Sequence, residues 1–261
     1  GAFGPYLPPY VVVYHYQGAP RAAWRRALAN AAAVVAVAAS QRPFLTALGG
    51  RLRIAVIPNG VELPTLDEGA RRRLRRYMRV PAGAALAVAV ARLSPEKGVG
   101  VLVRALATLA PAARPRLVVA GDGPERSAVE ALARELLRPD DYDFRGEVED
   151  VTPLYRAADL FVLPSYQESS PLALLEAMSF GVPAAAAAVG DVPALLAGGG
   201  GLTFEAGSAA ECARAVAALA GDANARRTMG LRARATVEEG FTAATMVHRY
   251  EDLLSRVAGR R

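Results

Sequence analysis

Long apolar runs are missing from this chain. The longest, Ala31 to Ala39, falls well short of the roughly 18 residues that cross a bilayer, so no membrane-spanning helix is expected. No charged-then-apolar leader opens the sequence, and a cytoplasmic location is the expectation. Cysteine is scarce too: Cys212 stands alone, which excludes an internal disulfide, and it falls within an expected helix. Basic runs interleaved with aromatics are absent, so the net charge of +6 does not point to nucleic acid. The densest basic run, Arg71-Arg72-Arg73-Leu74-Arg75-Arg76, reads as a solvated helix face. Peripheral contact with an anionic membrane face stays open.

The sharpest scarcity is lysine. Of 31 cationic side chains, 30 are arginine, and Lys97 is the one lysine. An ammonium acts on phosphate as a compact point charge, where the planar guanidinium differs in reach and geometry. Lys97 lies in Arg92-Leu93-Ser94-Pro95-Glu96-Lys97-Gly98, between the apolar run Leu86 to Ala91 and an amphipathic stretch carrying Val99, Leu102, Val103 and Leu106. That is a strand, a turn and a helix. Ligands of open α/β sheets bind beyond the carboxyl ends of the strands, so Arg92 and Lys97 are placed to neutralise a diphosphate.

What is present centres on Leu163 to Pro183. Leu160 to Leu163 reads as a buried parallel strand. A loop with Glu168 follows, then Ser170 as N-cap and Pro171 as first helical residue, with the helix ending near Gly181 and Pro183. First-turn amides lack intrahelical partners and sit at the positive end of the macrodipole, so an anion is attracted there. Pro171 has no N–H, which leaves Leu172 and Ala173 as the expected donors. Glu168 and Glu176 are acceptors suited to hydroxyl groups on either side of a bound phosphate.

Glu168 and Glu176 form an E-x7-E pair, preceded by Pro164-Ser165 and followed by Ala177-Met178-Ser179-Phe180-Gly181-Val182-Pro183. This resembles the retaining, nucleotide-sugar-dependent glycosyltransferases of family 4, which have the GT-B fold. Ala91 to Gly98 resembles the family's Gly-Arg-Leu-x-x-x-Lys-Gly, with Ala91 for the first glycine. Val56-Ile57-Pro58-Asn59-Gly60-Val61 resembles the crossing between its two domains. Gly121-Asp122-Gly123-Pro124, a weak turn signal by itself, resembles a segment lining the nucleotide pocket. Gly146-Glu147-Val148 resembles the one whose backbone meets the nucleobase edge. Val189-Gly190-Asp191-Val192-Pro193 matches the family's Gly-Gly-x-Pro-Glu in part, with Ala194 where the glutamate would stand. The resemblance covers roughly residues 9–258.

The expected fold class is therefore α/β and GT-B-like: a complete C-terminal Rossmann-like parallel-sheet domain plus a partial N-terminal one. The expected divisions are an acceptor-side part at 1–58, a donor-binding domain at 59–241, and a terminal helix at 242–261 that crosses back to the first part. The chain starts with Gly, only three strands are readable before residue 58, and the front of the acceptor-side domain is expected to be missing. Within that part, Arg21 to Ala32 reads as a helix and Ser40 as the cap of a short one. The five alanines from Ala184 to Ala188 form a poor candidate for a packed strand.

The resemblance implies transfer of a hexose-like sugar from a nucleoside diphosphate sugar to a carbohydrate, lipid-linked or small-molecule acceptor, with retention, in polysaccharide or glycolipid synthesis. It implies Glu168 on donor-sugar hydroxyls, Glu176 on the ribose, and Arg92, Lys97 and the amides of Leu172 and Ala173 on the diphosphate. Gly121, Gly123, Val148 and Ser170 line the nucleotide. His15 matches a histidine after a first-domain strand, so contact with the sugar stands beside the bland reading of a strand-end histidine. No Asp-x-Asp cluster is suited to a metal–diphosphate bridge, so neither metal nor cofactor is expected. Two alternatives remain: a nucleotide-sugar-binding module without turnover, and a nucleotide-sugar epimerase of the same fold.

Overall fold

The structure is a computed structural model that describes residues 9–16, 22–49 and 52–259. Arg21, where the first helix was expected to begin, lies outside them. Among the described residues, two all-parallel sheets organise the fold. The first runs β1 (Val11–Tyr14), β2 (Ala33–Ala36) and β3 (Ile54–Val56) in that spatial order. Helix α1 (Ala22–Ala29) joins its first two strands, and a 3-10 turn (Ala39–Gln41) with α2 (Arg42–Thr46) joins the last two.

The second sheet has six strands: β4 (Leu86–Val90), β5 (Arg116–Ala120), β6 (Tyr142–Phe144), β7 (Leu160–Leu163), β8 (Ala184–Ala187) and β9 (Gly201–Phe204). Their order, β6-β5-β4-β7-β8-β9, reverses direction between β4 and β7. This is the doubly wound, Rossmann-like arrangement, and it opens a crevice beyond the carboxyl ends of those two strands. Helices α3 (Glu68–Tyr77), α4 (Val99–Thr108), α5 (Arg126–Leu136), α6 (Thr152–Ala157), α7 (Leu172–Ser179), α8 (Val192–Leu196), α9 (Ala209–Gly221) and α10 (Ala223–Gly240) belong to this half. Helix α11 (Ala243–Ala258) closes the chain, and its start is tied to the crossing segment by Ala243 N–H donating to the Val61 carbonyl at 2.9 Å.

Strand side chains alternate between faces, and both faces are covered, which is why the strands read as unbroken apolar runs. Val88, Val118, Phe161, Leu163 and Ala186 face one layer with residues of α6, α7 and α10. Ala87, Val119, Val162 and Ala185 face the other with α4, α5 and α9. Cys212 is buried in that second layer, where burial pushes its thiol up to about 12. No helix among the described residues is long and apolar enough to cross a membrane.

Three expectations need correcting. The alanine run forms a central strand, β8, with all four side chains fully buried between β7 and β9. Its methyls still join both core layers: Ala184 and Ala186 cluster with residues of α7 and α8, and Ala185 and Ala187 with residues of α9. The basic run on α3 is only partly solvated. Arg71 and Arg75 each donate to Asp159 at 2.6 Å and also reach the carbonyls of Ala158 and Ala157, because i and i+4 share a helix face. Ser40 caps nothing: it lies inside its 3-10 turn, and its buried hydroxyl has no partner among the described residues.

Asp159 also accepts from the Leu86 amide at 2.7 Å, so one carboxylate fastens α3 to the entry of both β4 and β7. Asp159→Ala would strand two guanidinium groups and a backbone donor. Equilibrium urea unfolding should show a loss of about 3 kcal/mol, set by the broken ion pairs; a change of a few tenths would mean the clasp is idle.

Candidate functional site

The crevice is built from loops that follow β4, β5 and β7. The loop after β4 folds into a 3-10 turn (Pro95–Lys97) and ends at Gly98, whose φ of 61° is left-handed and serves as N-cap of α4. A side chain at Gly98 would collide with the Pro164 carbonyl oxygen, so this loop nests directly on the one after β7. The Tyr166 amide donates to the Glu96 carbonyl at 2.8 Å across the same seam.

That nesting brings Lys97 onto Glu168. Nζ donates to Oε1 at 2.7 Å, and the Ser165 hydroxyl donates to the same oxygen at 2.7 Å. Glu168 is 8% exposed, and the Lys97 side chain is about a quarter exposed. One of the three ammonium donors is thereby used, and Oε2 of Glu168 accepts from no described residue.

Helix α7 starts one residue later than expected. Pro171, not Ser170, is the N-cap, with extended backbone (φ −71°, ψ 102°), and Leu172 is the first helical residue. Ser170 therefore lies one residue outside the cap, and no side-chain bond caps the helix. The Ser170 carbonyl instead accepts from Asn59 Nδ2 at 3.2 Å, a tie from the crossing segment. The amides of Leu174 and Leu175 both donate to the Pro171 carbonyl. Those of Leu172 and Ala173 find no acceptor among the described residues. Glu176 is half-buried one turn further on, and its Oε2 accepts from the Tyr155 hydroxyl at 2.8 Å.

Arg92 lies in the same crevice but apart from Lys97. It is exposed, its guanidinium makes no hydrogen bond or ion pair to a described residue, and it lines a cavity of about 470 Å³ with Gly121, Glu147, Val148 and Val151. Gly121 has φ 133°, and a Cβ there would strike the Ala91 carbonyl oxygen; one on Gly123 would strike that of Leu93. The immediate demand on both glycines is thus the neighbouring β4 loop, tied further by Leu93 N–H to the Asp122 carbonyl at 2.9 Å. His15 follows β1 on the other sheet, exposed, with no hydrogen bond or ion pair to the loops of the second sheet among the described residues. Asp141 and Asp143, an Asp-x-Asp pair, flank the start of β6 and are bound by Arg114, Arg138 and Arg145. A larger cavity, about 600 Å³, opens at the opposite end of the sheet beside Asp159 and Pro183.

Sequence reasoning missed Tyr155, Asn59 and Asp191. Asp191 sits in the loop before α8, and its carboxylate accepts from the amides of Ala39 at 2.6 Å and Ser40 at 2.8 Å. It supplies from the second sheet the cap that Ser40 does not give. Its place in a partly matched glycine motif was the only signal, and the partner is remote in sequence.

A model of the glycosyl transferases group 1 family matches residues 71–236, well over half of the chain. The D-inositol 3-phosphate glycosyltransferase of Nocardia farcinica is 36% identical over 244 residues, which cover 88% of this chain and 53% of that protein. The N-acetyl-alpha-D-glucosaminyl L-malate synthase of Bacillus anthracis is 35% identical over 153 residues, 58% of this chain and 40% of that one. The chain spans about half the length of the curated relatives it matches. Among solved structures, Anabaena HepE in complex with UDP-glucose superposes with a TM-score of 0.86 at 25% identity, over 95% of this chain and 72% of that one. The fold is that of the GT-B glycosyltransferases.

Asp191→Ala removes two charge-assisted bonds that join the sheets. Hydrogen exchange at the amides of residues 39 and 40 should accelerate roughly tenfold or more, as for loss of bonds to a charged acceptor. Unchanged protection there would show that the contact does not hold in solution.

Proposed function

Since the chain belongs to the group 1 glycosyl transferases, we propose that it carries the donor half of an enzyme that moves a sugar from a nucleoside diphosphate sugar to a carbohydrate-type acceptor with retention. The observation that supports this most is the nesting of the β4 and β7 loops, which sets Lys97 on Glu168 just ahead of the two open amides of α7. As the bond from the anomeric carbon to the diphosphate breaks, negative charge grows on the departing oxygens. The remaining Lys97 donors, the amides of Leu172 and Ala173, and Arg92 from the neighbouring cavity would stabilise it. Glu168 is fixed by Lys97 and Ser165, so its other oxygen is held ready for hydroxyls of the donor sugar. Glu176 takes the ribose, and Gly121 and Val148 bound the base pocket beside Arg92. His15 is assigned to the donor sugar from the facing sheet. These cations do the work of a metal in this reading, so turnover persists in chelator.

HepE was solved with UDP-glucose, and uridine diphosphate sugars are the first donors to test. The binding-only alternative is favoured by one observation: among the described residues the first sheet has three strands. In that case nucleotide binds without transfer.

Calorimetry with UDP and GDP, paired with a transfer assay, separates the two. Binding with turnover supports the enzyme, binding alone supports the module, and no binding of either nucleotide rejects both. Lys97→Ala should lower transfer by about a hundred- to thousandfold, the usual cost of removing one such donor. Glu176→Ala should weaken UDP binding about tenfold, while Glu239→Ala on exposed α10 leaves it unchanged. Equal affinities in the two glutamate variants would remove the ribose assignment.

A further inference from the structure

Tyr155, on α6, is buried to 2% exposure and borders the larger cavity beside Asp159. Its ring meets Phe161 edge-on at 6.0 Å and Phe180 at a tilt, also 6.0 Å, and Arg156 covers the Phe180 ring at 5.5 Å. With the ring so confined, the hydroxyl has one direction, and it donates to Glu176 Oε2 at 2.8 Å. Burial, and next the adjacent Glu176 carboxylate, push this phenol far above its ordinary value, so it remains a donor at every working pH.

A phenylalanine would fill the same space without bringing a polar atom that must be satisfied. The hydroxyl therefore does something that packing does not require: it fixes which way Glu176 points. A carboxylate half-buried on a helix can otherwise rotate about its last bond, which presents a broad torsional well. Held through Oε2, Glu176 leaves Oε1 without a donor among the described residues.

We propose that Tyr155 is a positioning residue for nucleotide recognition, locking Glu176 so that its free oxygen receives the ribose diol. The proposal rests on the ribose reading of Glu176 given above. It assigns α6, which supplies no direct ligand contact in that reading, a part in telling ribose from deoxyribose. The relevant quantity is a preference, because a general loosening of the core would weaken all nucleotides alike.

The test measures affinity of the chain for UDP and for 2′,3′-dideoxyuridine diphosphate, in the unmodified protein, Tyr155→Phe and Glu176→Ala. The unmodified chain should prefer UDP by about tenfold or more, since the diol bonds a charged acceptor. Glu176→Ala should abolish the preference, and Tyr155→Phe should cut it to within roughly threefold while binding of the dideoxy nucleotide stays the same. If Glu176→Ala loses the preference but Tyr155→Phe keeps all of it, the tyrosine only fills the core and the proposal fails alone. If Glu176→Ala retains the preference, or the unmodified chain shows none, the ribose reading fails and takes the proposal with it.

Discussion

The candidate site depends on one contact between backbones: the turn at Gly98 lying against the carbonyl of Pro164. No other residue type permits both that approach and the left-handed backbone found there. With the two loops in register, an ammonium from the β4 side meets a carboxylate from the β7 side, and a 2.7 Å bond replaces what would otherwise be two partly buried, uncompensated charges. The reversal of strand order between β4 and β7 supplies the space; the glycine contact supplies the alignment.

Around that seam, the site is held by a set of bonds that each join elements distant in sequence. Ser165 shares an oxygen of Glu168 with Lys97, Asn59 takes the Ser170 carbonyl, and Tyr155 takes one oxygen of Glu176. Each carboxylate of the E-x7-E pair thus has one oxygen assigned to the protein. A ligand entering the crevice meets groups whose orientation is already set, so less ordering remains to be done on binding. At the opposite end of the sheet, Asp159 plays the equivalent part for the framework, fixing two arginines of α3.

Much of this was readable in the residues because the signals were local. A strand, a proline and glycine turn, and a helix start are neighbours in sequence, and the lone lysine was conspicuous against a background of arginine. The order of elements and the membership of the E-x7-E helix follow from such patterns. The rest resisted for identifiable reasons. Ser170 lost the cap position because the proline after it stays extended, so the helix begins at Leu172. The alanine strand looked too small for a core because a single sequence does not show that helices cover both of its faces. Arg71 and Arg75 looked solvated because their acceptor, Asp159, lies beyond three intervening strands and was invisible to spacing. Tyr155 carried no signal at all: its meaning lies in where its oxygen ends up, and that is set by rings packed from three separate elements.

The carboxylate of Asp191 has a mechanical consequence. It spans the gap between the sheets and seizes two adjacent amides at the head of a helical turn. Swinging one sheet about the 57–61 crossing would have to part both bonds together and leave that turn uncapped. Any widening of the aperture between the halves thus meets an all-or-none cost at this carboxylate, added to the ties of the crossing itself.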